Sequence, residues 1–173
     1  MLYKIPESAS SERLLLRRFV NEDWRDLYRY YSDPDCMRYT IGHVLSEEET
    51  WRTMSAMMGH WELHGYGPYG LALKENGRLI GVCGFWNPLG WPEPEIKWGL
   101  VKQYWGQSLA KEAAQTVKKV WATHLSDLSL ISLIFSENER SQRLALSLDA
   151  VFEKEIEFRQ QIAHIYRHVQ DLT

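Results

Sequence analysis

The sequence predicts an α+β domain: a central mixed, mostly antiparallel sheet with helices on both faces. Three observations predict it. Asn76-Gly77, set between the apolar runs 70–75 and 78–85, is a strong short hairpin signal. Residues 95–101 alternate as a strand, cross a turn holding Gly106 and continue as a helix with Ala110, Ala114, Val117 and Trp121 on one face. Two further alternating runs, 151–158 and 162–169, close the chain as an antiparallel pair with one wet face. At 173 residues, 45% hydrophobic and 25% charged, the chain suits a single domain over 1–173 with a sizeable core.

Composition narrows the function classes. A net charge of −3 and a pI near 6.1 argue against nucleic acid, whose binders carry a basic face. No run of about 18 apolar residues is present to span a membrane. The opening residues lack the apolar stretch of a secretory signal, so a cytoplasmic location is expected. Cys36 and Cys83 are too few for a metal cage or a disulfide framework and are expected as packed, reduced thiols. Eight tryptophans and nine tyrosines are many for this length, which makes them candidates for core and cleft walls.

In chain order, residues 11–19 read as a first strand with solvated Arg17 and Arg18. Asn21 then offers a cap to a helix with Trp24, Leu27, Tyr28 and Tyr31 on one face, which Asp33-Pro34 ends. Ser46 with Glu49 forms a capping box that opens a helix to about Leu63. Its stripe of Trp51, Met54, Met57, Met58 and Trp61 is either core or an adaptable acceptor groove. Glycines break the chain over 60–69, where His64, Tyr66 and Tyr69 sit, and prolines keep 86–94 out of regular strand. Residues 128–135 are short and apolar enough for a buried strand, and Asn138 caps the helix after it.

The turn before the 110–121 helix has a chemistry of its own. The first amides of a helix lack internal partners and lie at the positive end of its dipole, so a diphosphate can bind there without a basic side chain. Gly106 removes the Cβ that would hold such a ligand away. An acidic chain holds an anion with local donors of this kind and not with its overall field.

Gln103-x-x-Gly106-x-Ser108 resembles the Q/R-x-x-G-x-G/A loop with which GNAT N-acetyltransferases hold the pyrophosphate of acetyl-CoA. The opening Ser11-Glu12-Arg13-Leu14, the acidic helix start and Ser32-Asp33-Pro34 resemble the ribosomal-protein N-terminal acetyltransferase branch of that family. Asn138, Ser141, Arg143 and Leu146 or its neighbours meet the family's N-x-x-S-x-R-x-L pattern. Two positions depart: Ser108 stands where a second Gly or Ala is usual, and Leu148-Asp149-Ala150 replaces Leu-Gly-Phe. Ser108 fits readily if its backbone stays right-handed and less so at positive φ.

The resemblance implies the GNAT acyl-CoA N-acyltransferase fold, acetyl-CoA as acyl donor and no metal. It implies that backbone groups of Trp98, Leu100 and Val101 pair with the pantetheine arm. Gln103, Tyr104, Trp105, Gly106, Gln107 and Ser108 would take the pyrophosphate, Asn138 and Ser141 would contact the pantetheine or thiol end, and Arg143 would join the coenzyme site. Glu95 is the implied base, acting through water, unless it is an ordinary strand charge. The Leu100 amide is the implied oxyanion donor, and Ser141 the hydroxyl facing the departing thiolate, since Ala145 stands about where many relatives carry Tyr. His64, Tyr66 and Tyr69 border the acceptor cleft by resemblance, or are a packed helix stop. A water-mediated base suits an α-amine, pKa near ~7.7–8.0, better than a lysine near ~10.4, which favours a protein N-terminus as acceptor. A small amine, or a silent coenzyme-binding module, is the alternative. Edge strands and aromatic residues suit a homodimer.

Overall fold

The computed structural model describes residues 3–169, so residues 1–2 and 170–173 of the expected 1–173 domain lie outside the described part. The chain runs β1 (Ser8–Ser10), β2 (Leu14–Arg17), α1 (Trp24–Tyr31), α2 (Pro34–Met37), α3 (Glu47–His64), β3 (Pro68–Leu73) and β4 (Leu79–Trp86). It continues with β5 (Glu95–Leu100), α4 (Leu109–His124), β6 (Ile131–Phe135), α5 (Glu139–Leu146), β7 (Val151–Phe158) and β8 (Gln161–Arg167). The strands form one sheet in the order β1-β2-β3-β4-β5-β6-β8-β7. All neighbours are antiparallel except β5 and β6.

The strand read over 11–19 forms only as β2; β1, at 8–10, precedes it and pairs back on it because Ser11 turns the chain. Its N–H donates to the Leu14 carbonyl at 2.9 Å and its hydroxyl to Glu112 of α4 at 2.6 Å. Asn21 does not cap α1; it begins a short 3₁₀ turn, and its side-chain oxygen accepts from the Trp51 indole at 3.2 Å. α1 then buries Leu27, Tyr30 and Tyr31, the i, i+3, i+4 set, and leaves Tyr28 half-buried. Pro34 both stops α1 and opens α2, with Asp33 accepting the amides of Asp35 and Cys36 at 2.8 and 3.3 Å.

The capping box forms: Ser46 Oγ accepts the Glu49 amide at 3.2 Å and Glu49 accepts the Ser46 amide at 2.8 Å, worth about 1 kcal/mol to α3. The buried stripe of α3 is Thr50, Met54, Met57, His60 and Trp61, while Trp51 turns to solvent. The face is rotated from the expected one because Thr50 and His60, polar in sequence, lie on the arc that meets the sheet. The β3–β4 hairpin uses a five-residue loop, 74–78, with Gly77 at φ +72 and its N–H on the Leu73 carbonyl at 2.8 Å, where a two-residue Asn-Gly turn was expected.

α4 and the helices α1 to α3 cover opposite faces. Ala113, Val117 and Trp121 of α4 pack with Ile96, Leu100 and Phe85. Leu27, Tyr31, Met54 and Met57 pack with Leu79 and Val82. α5 lies over β6, where Ala145 joins Ile134, Ala150 and Tyr166 in a separate small cluster. Its end keeps a left-handed stop despite the missing glycine. Asp149 takes φ +61, its N–H donates to Leu146 at 3.0 Å, and the Ala150 N–H reaches back to Ala145 at 3.2 Å. These are the two bonds of a Schellman motif.

Candidate active site

β5 and β6 share a single Cα pairing, Glu95 with Ile131, and then part. Two side chains cap the break. Leu133 N–H, which a continued parallel ladder would give to a β5 carbonyl, donates to Glu95 Oε2 at 3.2 Å, and Ser132 Oγ donates to the Ile96 carbonyl at 3.3 Å. Beyond them a cavity of about 890 Å³ opens between the strands.

Strand parity decides which main-chain groups line that opening. Val101 N–H donates to Ile80 of β4 at 2.8 Å, so the backbone groups of Val101 and Gly99 face β4. Those of Trp98 and Leu100 face the side where β6 has moved away. The Leu100 carbonyl there accepts from the Trp105 indole at 2.8 Å, which holds the loop ring against the strand end.

The turn between β5 and α4 spends its early amides internally: Tyr104 donates to Val101 at 2.9 Å and Trp105 to Lys102 at 3.0 Å. The next six behave differently. Among the described residues, the amides of Gly106 to Lys111 find no hydrogen-bond partner in the chain. Gly106 at φ +74 and Ser108 at φ +60 bend them into a concave cradle on the cavity wall. Ser108 thus adopts the left-handed conformation that a serine tolerates less easily. A Cβ built on Gly106 would meet nothing within 4 Å, so the space beside the cradle is open.

Trp98, Leu100, Tyr104, Trp105, Gly106 and Ser108 line the cavity as expected of a coenzyme site, with Asn138, Ser141 and Arg143 on the α5 side. The side chains of Val101, Gln103 and Gln107 are not part of that lining. Val101 is buried with its amide on β4, and Gln103 Oε1 accepts from Arg29 at 2.6 Å. The Gln107 side chain donates back to the Gln103 carbonyl at 3.1 Å. These three shape the turn and tie it to α1. A Lys102–Asp35 ion pair ties it to α2.

On α5, Asn138 Oδ1 caps the helix by accepting the Ser141 amide at 3.3 Å. Ser141 Oγ accepts from Trp98 Nε1 at 3.2 Å. An indole N–H can only donate, so the Ser141 proton is free to point elsewhere. Arg140 stacks on Trp105 at 3.8 Å across the mouth.

At the other end stands Glu95, buried, with its carboxylate accepting from Trp91 Nε1 at 2.9 Å as well as from Leu133. Burial raises its pKa above the usual carboxylate value, against the pull of the Trp91 hydrogen bond and of Lys97. Lys97, two residues on and on the same face, is pushed down by burial, and its Nζ lies 4.7 Å from the Trp86 ring centre. Beneath the seam, Ser132 Oγ also meets His168 Nε2 at 2.9 Å. With the hydroxyl proton on Ile96, the imidazole donates from Nε2.

His64, Tyr66 and Tyr69 are not brought to the cavity, which corrects the expectation that they border the cleft. Tyr69 is fully buried with its hydroxyl on the Pro6 carbonyl at 2.7 Å, and Tyr66 is buried beside it. His64 stacks on His60 at 4.2 Å, and His60 on Trp86 at 5.0 Å, so the group stands behind the wall. The wall itself is made by Tyr30, Trp86, Trp91, Lys97, Phe158 and Arg159. Of these, Lys97 was legible in sequence as the one cation a strand stride from Glu95; the others meet only in the fold. Among the described residues no cluster of three His, Cys, Asp or Glu side chains is placed to hold a metal, and no helix is long and apolar enough to cross a membrane.

A family model described as an acetyltransferase (GNAT) domain matches residues 13–151. An uncharacterized N-acetyltransferase, p20, of Bacillus licheniformis is 31% identical over 86% of this chain and 84% of its own length. A GNAT-family acetyltransferase structure from Bacillus anthracis superposes with a TM-score of 0.78 at 26% identity, covering 94% of this chain and 98% of that one. The structure titled RimL, a ribosomal L7/L12 alpha-N-protein acetyltransferase in complex with coenzyme A, superposes at 0.75 with 16% identity over 98% and 99% of the two chains, a likeness of fold.

Proposed function

This chain belongs to the GNAT acetyltransferase family, and from that premise we propose that it transfers an acetyl group from acetyl-CoA to the free α-amine of a polypeptide. Acetyl-CoA-dependent N-acetylation is the family's activity; acetyl-CoA supplies an activated thioester carbonyl. The observation that carries the coenzyme assignment is the cradle of six amides, Gly106 to Lys111, opening at one end of the slot between two parting strands. A pyrophosphate matches it, because amides held at a helix start offer several donors with no reorganisation.

The remaining roles follow from which groups have hydrogen-bonding capacity left. The Trp98 backbone groups on the open strand edge pair with the amides of the pantetheine arm. Leu100 N–H, on the same edge, stabilises negative charge developing on the acyl oxygen. Ser141, already accepting from Trp98, turns its proton to the departing sulfur. Glu95 takes the amine proton through water, and its raised pKa brings it closer to the working pH of a base. A carboxylate that already accepts two hydrogen bonds is a mild base, and this favours an acceptor largely neutral near pH 8, an α-amine, over a lysine. The acceptor named in the RimL title is of that kind.

Gly106→Val sets a branched side chain at φ +74 in the cradle; acetyl-CoA affinity should fall by at least about tenfold by calorimetry. Unchanged affinity removes the pyrophosphate assignment. Coenzyme A release is then compared across peptides with free N-termini, N-blocked peptides carrying one lysine, and small amines. Turnover confined to small amines rejects the polypeptide acceptor.

A further inference from the structure

The acceptor end of the cavity has an imbalance of charge. Lys97 projects from β5 on the face of Tyr30 and Trp86, yet its ammonium has no hydrogen bond and no ion-pair contact in the described chain; the Trp86 ring lies at 4.7 Å, and Glu95, two residues back on the same face, attracts it through space. Arg159, at the β7–β8 turn, lies over Trp91 at 4.6 Å and Phe158 at 5.4 Å, again with no carboxylate partner. Arg38 on the same wall stacks on Tyr39 at 5.2 Å. The acids nearby do not touch these cations: Asp35 pairs with Lys102, and Glu95 spends its carboxylate oxygens on the Trp91 indole and the Leu133 amide. Glu137, the other unpaired carboxylate on the wall, belongs to the α5 side, three residues before Arg140.

A cation drawn out of water without a carboxylate in contact costs free energy that a ring face and one carboxylate beyond contact offset only in part. The coenzyme phosphates are poorly placed to neutralise Lys97. Their cradle begins beyond Leu100, and roughly 10 Å of strand separates Lys97 from that residue. Glu95 alone does not balance Lys97, Arg159 and Arg38, so the further negative charge comes from the other substrate.

We infer that the acceptor is an amine carrying an anionic group close by, seated between Lys97 and Arg159 while its nitrogen reaches toward Glu95. This rests on the acetyl-transfer reading and adds the acceptor's chemical class: a polypeptide start with acidic residues directly after the first, and not a polycationic amine. The aromatic walls of Trp86, Trp91 and Phe158 exclude water from the pairing and strengthen it.

The test uses three otherwise identical peptides with free N-termini, bearing two Glu, two Ala or two Lys after the first residue. Each is titrated into the coenzyme A-loaded protein and assayed for acetyl transfer. Phosphoethanolamine against ethanolamine forms the small-molecule arm and shows whether the anion is a peptide carboxylate or a small phosphate. The Glu peptide should bind at least about tenfold tighter than the Ala peptide, with the gain in KM and not kcat, and the Lys peptide should bind weakest. Lys97→Met should flatten the order and Lys97→Glu reverse it. Arg159→Met, on an exposed turn, should narrow it and serves if the Lys97 variants fail to fold. Equal binding of all three peptides, or preference for Lys, overturns the inference and leaves acetyl transfer standing. Preference for the Glu peptide without transfer to any amine supports the inference and counts against acetyl transfer alone.

Discussion

Ser108 shows how one residue carries both a departure from pattern and its consequence. At φ +60 it holds a conformation that costs an L-residue roughly 1 kcal/mol and costs glycine almost nothing. Ser108→Gly should therefore raise unfolding stability by about 0.5–1 kcal/mol in chemical denaturation, partly offset by the looser unfolded chain. A decrease would mean that the hydroxyl holds the loop. The sequence marked this position because the expected residue type was missing. It could not mark the isolation of Lys97, since lacking a partner depends on every element that folds nearby. The side chains of Val101, Gln103 and Gln107 lie outside the cavity lining for a related reason. A motif names residues that recur in a turn without saying which face the ligand and which, like Gln103 with Arg29, hold the turn in shape.

Among the elements, α3 reaches the site only indirectly. His60 is buried, gives its Nδ1 proton to the Tyr66 carbonyl at 2.8 Å and accepts the Asn87 amide on Nε2 at 2.9 Å, so it anchors the start of the loop that carries Trp91. Burial pushes its pKa down to about 4, and that of His168 likewise to about 4. Both folded values lie below the ordinary 6.5, so the unfolded chain binds more protons between those limits. The stabilisation is full above about pH 6.5 and is lost as pH falls toward 4. Glu95, raised by burial, titrates with the opposite sign, so the useful quantity is a difference. Between pH 7 and pH 5, wild type should lose about 1–2 kcal/mol more than His60→Gln in urea titrations, and equal losses would place His60 in a more solvated setting. The longer elements were legible in existence and type, because periodicity and caps are local; the short β1 and α2 were not. Faces were less so: Thr50 and His60 look like solvent residues until the sheet they meet is known.

At the scale of the whole molecule, strand pairing, which sequence order alone does not reveal, creates the site. The short β6 returns parallel to β5 after α4, makes one pairing and departs. Glu95 and Ser132, side chains standing in for ladder bonds, keep the gap from closing. The molecule is then like a book with two leaves. β1 to β5 with α1 to α4 form the thicker leaf and β6, β8, β7 and α5 the thinner, joined along a spine one backbone pairing long. Side chains such as Arg167, bidentate on Glu93 at 2.6 and 2.8 Å, act as its stitching. Amides of β6 and β8 should exchange with deuterated water sooner than those of β3 and β4, and saturating acetyl-CoA, which the proposed site would lay along the spine, should slow the thin leaf most. Uniform slowing across both leaves would mean that the sheet opens as one piece. A donor that glues the covers together makes the architecture itself a reporter of coenzyme occupancy.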